Sequence, residues 1–251
     1  MKNRQSHSQL AYAAIRERIT SGELASGAMV SEAAIAKELG LSRTPVGEAL
    51  RRLSHEGLVD QIPRYGTVVR SLSQEDLREL FEIRQALEGM AAAKAADRIT
   101  AEVLEELELL CVAIDTEITS AQSSGATALE GEALNRFLAA DMAFHMLIIS
   151  SARNRRLGDI LEQTRSISSM FYARRGVHSL QRVIDANDWH RKILAALVAR
   201  DSARASELVI NHIQHSCDQS LRSEDNGDAP INLGTLNLPP SMRMALKAVT
   251  K

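Results

Sequence analysis

Apolar positions recur every three or four residues along most of the chain, a spacing that predicts amphipathic helices. Leu10, Ala14, Ile15 and Ile19 form the first such stripe, which ends near Gly22. After a turn at Ala25-Ser26-Gly27, Ser31 is placed to cap a second helix reaching Leu39, with Ala34 and Ile35 inward. A third helix runs from about Ser42 to His55, with Ser42 as its cap and Pro45 tolerated in its first turn. Val46, Leu50 and Leu53 are its buried stripe. The pattern then changes. Leu58-Val59-Asp60-Gln61-Ile62 and Thr67-Val68-Val69-Arg70 are β-rich and flank the turn residues Pro63-Arg64-Tyr65-Gly66. Three helices and a two-stranded ribbon make a winged helix-turn-helix.

From Ser73 to about Leu221 the helical period returns, and no proline falls between Pro63 and Pro230. Breaks near Ile99-Thr100, Gln122 to Ala128, Arg153-Asn154, Gly176 to Ser179 and Arg200-Asp201 divide this stretch into about six helices, an ordinary bundle. The expected fold class is therefore mainly α: residues 1–72 a winged helix-turn-helix, 73–222 an all-α bundle, and 223–251 a linker and tail with a possible short helix at its end.

Composition narrows the picture. Aromatic residues make up 3% of the chain against 45% hydrophobic overall, which favours Ala- and Leu-rich helix packing over sheets. No apolar run approaches the roughly 18 residues of a membrane span, and Met1 to His7 lack the apolar core of a signal peptide, so a cytoplasmic protein is expected. Cys111 and Cys217 sit in helical patterns without metal spacing and read as buried thiols. The net charge of −2 is uneven: residues 1–72 hold 10 Lys and Arg against 7 Asp and Glu, a mildly basic head on an acidic body.

Two groups of residues carry chemistry. At the start of the third helix Ser42, Arg43 and Thr44 are exposed, with Arg51 further along the same helix, as in a helix that enters a DNA major groove. Arg64 and Gly66 at the ribbon tip are placed to touch backbone or minor groove. In the bundle, Asp141 and His145 lie four apart in one helical stripe, while His190 and His212 occupy the inward stripes of two later helices. Carboxylate and imidazole on facing helices suit Zn, Ni, Mn or Fe(II), although a single histidine in a stripe is more often a hydrogen-bonded core residue. His7 and His55 belong to the DNA-binding region, and neither His178, expected in a loop, nor His215 has a clear inward direction. Arg84 interrupts the apolar stripe Leu77, Leu80, Phe81, Leu87 and Ala91, so it needs either a bundle carboxylate or the carboxylate of a ligand.

These residues resemble the GntR family of bacterial transcription regulators, in the branch with an all-helical FCD effector domain. The resemblance rests on Leu41-Ser42-Arg43-Thr44-Pro45-Val46, Glu48-Ala49-Leu50, Glu56-Gly57-Leu58-Val59 and Arg64-Tyr65-Gly66 in the head. In the body it rests on Ile83-Arg84 with Leu87-Glu88, Asp141-Met142-Ala143-Phe144-His145, Asn154, His190 and Asn211-His212. It implies a divalent metal (Zn, Ni or Mn) held by Asp141, His145, His190 and His212. It further implies a homodimer on double-stranded operator DNA and a small carboxylate effector reaching the metal and Arg84. The function expected is a repressor of organic-acid or sugar-acid metabolism genes. The chain departs from the family at Gly47, where arginine is usual, and at Ala33, where some relatives have arginine. The alternative is a metal-dependent enzyme domain fused to a DNA-binding head. No nucleophile motif or phosphate-binding glycine loop supports that alternative, so an enzyme is not expected.

Overall fold

The computed structural model describes residues 6–20, 22–63, 65–71, 73–161, 164 and 177–222. Arg64 and the whole 223–251 tail lie outside the described residues. The chain forms two compact units, the first ending its main segment at Ser73 and the second beginning at Gln74.

In the first unit, α1 (His7–Thr20) buries Ala11, Ile15 and Ile19. Leu10, expected inside, is 42% exposed, because the helix presents Ala11 instead. In α2 (Glu32–Leu39) the Ser31 side chain accepts the Ala34 amide at 3.2 Å. Ile35 and Ala36 point inward, where Ala34 was expected. Gly40, at φ 65°, ends this helix in the left-handed region that glycine enters without steric cost. In α3 (Arg43–His55) the buried face is Val46, Ala49, Leu50 and Leu53. The expected ribbon is present as β2 (Val59–Ile62) and β3 (Gly66–Val69), antiparallel with Ile62 opposite Gly66. A third strand, β1 (Met29–Val30), pairs with β3 on its other side. All three helices and the strands close on one core that includes Ile15, Leu50, Leu53, Leu58 and Val59.

In the second unit, α4 (Gln74–Arg98) is followed by α5 (Ala101–Ser124), whose N-cap Thr100 accepts the Val103 amide. After β4 (Ala128–Glu130) comes α6 (Gly131–Ser151), buried on almost every side, as its apolar sequence around the whole circumference requires. A helical segment at 155–161 follows. Next are β5 (Val177–Ser179), α7 (Leu180–Val198), capped by Ser179, and α8 (Ser202–Arg222). β4 and β5 pair antiparallel, an element the helical period did not predict. Helices α4 and α8 approach closely at Gly89, where a β-carbon would lie 2.7 Å from Ile210 Cγ1. Among the described residues, no helix is long and apolar enough to cross a membrane.

Candidate nucleic-acid interface and metal centre

Ser42 occupies the N-cap position of α3 with extended backbone, but its hydroxyl makes no capping hydrogen bond, contrary to expectation. The third helical residue is Pro45, whose nitrogen carries no hydrogen, so one of the two amides an N-cap oxygen normally accepts is missing. Ser42, Arg43 and Thr44 are all exposed at this helix start. The two adjacent arginines later in α3 differ. Arg52 is held 2.9 Å from Glu56 and lies 3.8 Å above the Tyr12 ring. The Tyr12 hydroxyl donates to Glu56 at 2.7 Å, and burial together with that carboxylate pushes the phenol up to about 12. Arg51 is exposed and has no ion pair among the described residues, so it is the more available cation. Gly66 is exposed at the ribbon tip with φ 123°. Two residues that no sequence pattern singles out also stand here. Glu32 pairs with Arg43 at 3.3 Å. Lys37, in the last turn of α2, is exposed, where a cation also complements the helix dipole.

In the second unit, α6 supplies Asp141 and His145, α7 supplies His190 and α8 supplies His212. One ligand atom from each comes together with the others, all within 4.8 Å of one another. His145 Nε2 and His212 Nε2 are 3.2 Å apart, and His190 Nε2 is 3.4 Å from Asp141 Oδ1. Two nitrogens that each sit about 2.0–2.1 Å from a shared ion stand at about this separation. The three histidines are at most 3% exposed, whereas 30% of the Asp141 side chain reaches solvent.

The ring orientations have separate causes. Glu88 Oε2 lies 3.0 Å from His145 Nδ1, while Arg84 Nε donates to Glu88 Oε1 at 2.8 Å. This carboxylate directs the His145 proton to Nδ1 and leaves Nε2 with a lone pair toward the centre. His190 is instead stacked on Phe144, with ring centroids 4.1 Å apart and planes at 18°. Nδ1 of His190 and Nδ1 of His212 have no hydrogen-bond partner among the described residues, and His190 Nε2 has only its 3.4 Å contact with Asp141. Burial holds the His212 pKa well below the usual histidine range, and the His190 and His145 rings push it the same way. Burial alone would raise the Asp141 pKa. Its contact with His190 and the fields of all three imidazoles outweigh that, so the carboxyl is held below its usual range. Three buried imidazoles, an ionised carboxylate and buried nitrogens left without hydrogen bonds are the donor set that a divalent cation fits.

One of the two readings of Arg84 is met, and one expectation, for His178, changes. Arg84 is 6% exposed and is paired along its own helix with Glu88, so the bundle carboxylate it needed is present. His178 is 3% exposed on β5, with its ring 6.0 Å from Phe137 edge to face, rather than loose in a loop.

Residues 7–69 match the family described as bacterial regulatory proteins, gntR family, and residues 79–215 match the FCD domain. The chain is 30% identical over 214 residues to a protein of Paenarthrobacter nicotinovorans named "Probable D-xylose utilization operon transcriptional repressor", covering 85% of this chain and 88% of that one. It is 30% identical over 176 residues to the HTH-type transcriptional repressor GlaR of Escherichia coli, covering 67% of this chain and 75% of that one. Among solved structures, E. coli McbR/YncC shares the fold, with TM-score 0.71 at 22% identity, over 88% of this chain and 100% of that one. The chain belongs to the gntR family of bacterial regulatory proteins and carries the FCD domain. It is a DNA-binding transcription regulator, and this assignment sets aside the enzyme alternative.

Proposed function

We propose that this regulator is a metal-containing, ligand-responsive repressor that binds operator DNA as a homodimer in the cytoplasm. Residues 1–72 read the DNA and 73–222 sense the ligand and dimerise. The observation that carries the reading is the convergence of Asp141, His145, His190 and His212 on one point in the domain that is not the DNA reader. These four side chains would hold a divalent ion such as Zn, Ni or Mn. Such an ion, when bound, supplies a Lewis-acid centre for oxygen donors. His145 is oriented by Glu88 and His190 by Phe144, and Asp141 marks the side from which solvent and a small molecule approach.

The effector we propose is a small carboxylate, in line with control of organic-acid or sugar-acid genes. The P. nicotinovorans relative is named for utilization of the sugar D-xylose, which places it in carbohydrate metabolism. Arg84 would contact that carboxylate only by sharing its guanidinium with Glu88. In the head, Ser42, Arg43 and Thr44 would meet bases and phosphates, Arg51 a phosphate, and Arg64 and Gly66 the backbone or minor groove. A ligand changes repression only through different affinities for the DNA-competent and incompetent states.

The test uses a duplex selected by the full-length protein from a randomised library. Metal-replete protein is titrated with that duplex in the presence of single C2 to C6 hydroxy- and dicarboxylates. At least one should weaken duplex binding about tenfold or more and raise the melting temperature, and both effects should vanish after chelation. A panel that changes neither quantity rejects the carboxylate reading.

A further inference from the structure

The interface between α2 and α3 holds an acid where a DNA-reading surface would be expected to hold only cations. Glu32, in the first turn of α2, places Oε1 3.3 Å from Arg43 Nε. Arg43 is the first residue of α3, and its side chain is 72% exposed. The contact uses Nε, the inner nitrogen of the guanidinium, and the Glu32 side chain is itself 35% exposed.

Gly47 lies one turn beyond Arg43 on the same helix. A β-carbon at position 47 would stand 3.6 Å from both Cδ and Oε2 of Glu32 and 3.7 Å from Oε1. The Glu32 carboxylate therefore lies flat across the bare face of the glycine, in the space that a long side chain at 47 would contest. Glycine in a helix interior costs about 1 kcal/mol relative to alanine. The free space it leaves is filled by the group that holds Arg43.

We infer that Glu32 is a positioning residue for base recognition: it fixes the Arg43 guanidinium by Nε so that the two terminal nitrogens face outward as a fork. A guanidinium presented this way matches the paired O6 and N7 acceptors of guanine in the major groove. Phosphate contact needs only charge, and Glu32 reduces net charge at the reading surface, so it raises discrimination while it lowers sequence-independent affinity. The inference rests on Arg43 being a base reader, as proposed above.

The experiment uses full-length protein, the duplex selected from a randomised library, its single-base variants and a scrambled duplex. Arg43→Ala locates the base positions whose discrimination depends on Arg43. Glu32→Gln should lower discrimination at those same positions about tenfold while binding the scrambled duplex at least as tightly as wild type. In the Arg43→Ala background, Glu32→Gln should cause no further loss at those positions. A purely structural role would lower affinity at every position alike and would be additive with Arg43→Ala. Wild-type discrimination in Glu32→Gln, or additivity, overturns the role of Glu32 while leaving Arg43 a reader. An Arg43→Ala profile unchanged at every position overturns both.

Discussion

Glu88 and His145 face each other across α4 and α6, with Oε2 3.0 Å from Nδ1, and both side chains are 2% exposed. The pair links two features that are far apart in the chain. On one side Glu88 neutralises the buried Arg84, and on the other it fixes which nitrogen of His145 faces the cluster. Outer partners of this kind set both the orientation and the basicity of an imidazole ligand.

Replacing Glu88 therefore has two separable consequences. Glu88→Ala leaves the Arg84 guanidinium buried without its anion and should lower unfolding stability by about 3–5 kcal/mol in urea titrations. Glu88→Gln keeps a hydrogen-bonding group of the same size. It should retain more of the stability but lower metal affinity about 10–100-fold. Equal metal affinity in Glu88→Gln and wild type would remove Glu88 from any role at the cluster.

Metal-free protein should lose stability as pH falls below about 6.5. His212 is held well below its ordinary value in the fold, by burial first and by His190 and His145 next. Below 6.5 the unfolded chain takes up a proton that folded His212 refuses, so the folded state loses ground steadily toward the lowered value. Asp141, also lowered, adds a loss of the same sign below its ordinary carboxyl range. Bound metal should oppose both losses, and apparent metal affinity should itself drop as the histidines compete for protons. Thermal melts at pH 7 and pH 5, with and without added metal, measure this directly. Equal melting temperatures at the two pH values in metal-free protein would contradict it.

The sequence made much of this arrangement legible, because side-chain period reports which residues share a helix face. The helical period alone turns Asp141, His145, His190 and His212 inward, and the structure brings one ligand atom of each within 4.8 Å of the others. Glu88 gives no sign of its role in the sequence, since its distance to His145 is set by the packing of α4 on α6 and not by local spacing. The strands β1, β4 and β5 are two or three residues long, too short to show an alternating pattern. Ser42 has the right residue type for a cap, yet Pro45 removes a donor it would need, a conflict visible in the sequence only once the helix start is placed. Leu10 and Ala11 differ by one position, a choice of face that the apolar stripe alone leaves open.

Gly47 offers a contrast between stability and reading. Its backbone is ordinary helix and a β-carbon meets nothing closer than 3.6 Å, so Gly47→Ala should stabilise the protein by about 0.5–1 kcal/mol. Gly47→Arg adds a cation beside Glu32. It should bind DNA more tightly and with a steeper salt dependence, because one more phosphate-capable charge is present. Equal or weaker binding of a scrambled duplex across a salt series, with the fold intact, would contradict this.

The Cys111 thiol should be inert in the native protein. It is completely buried, and burial pushes it up to about 12, outweighing the nearby Arg191. At pH 8 a thiol-reactive disulfide reagent should therefore label Cys111 only after unfolding, since the thiolate is the reacting form. Rapid native labelling, mapped to Cys111 by peptide mass, would contradict its place in the α5 core.

The central claim is that one divalent ion sits among Asp141, His145, His190 and His212. Elemental analysis of full-length protein purified under metal-replete conditions and dialysed tests it most directly, with wild type beside His190→Ala. The account predicts about one ion per chain in wild type and a large loss in the variant, with the head still folded and able to bind DNA. Wild type without metal, or metal retained in full by His190→Ala, would contradict it.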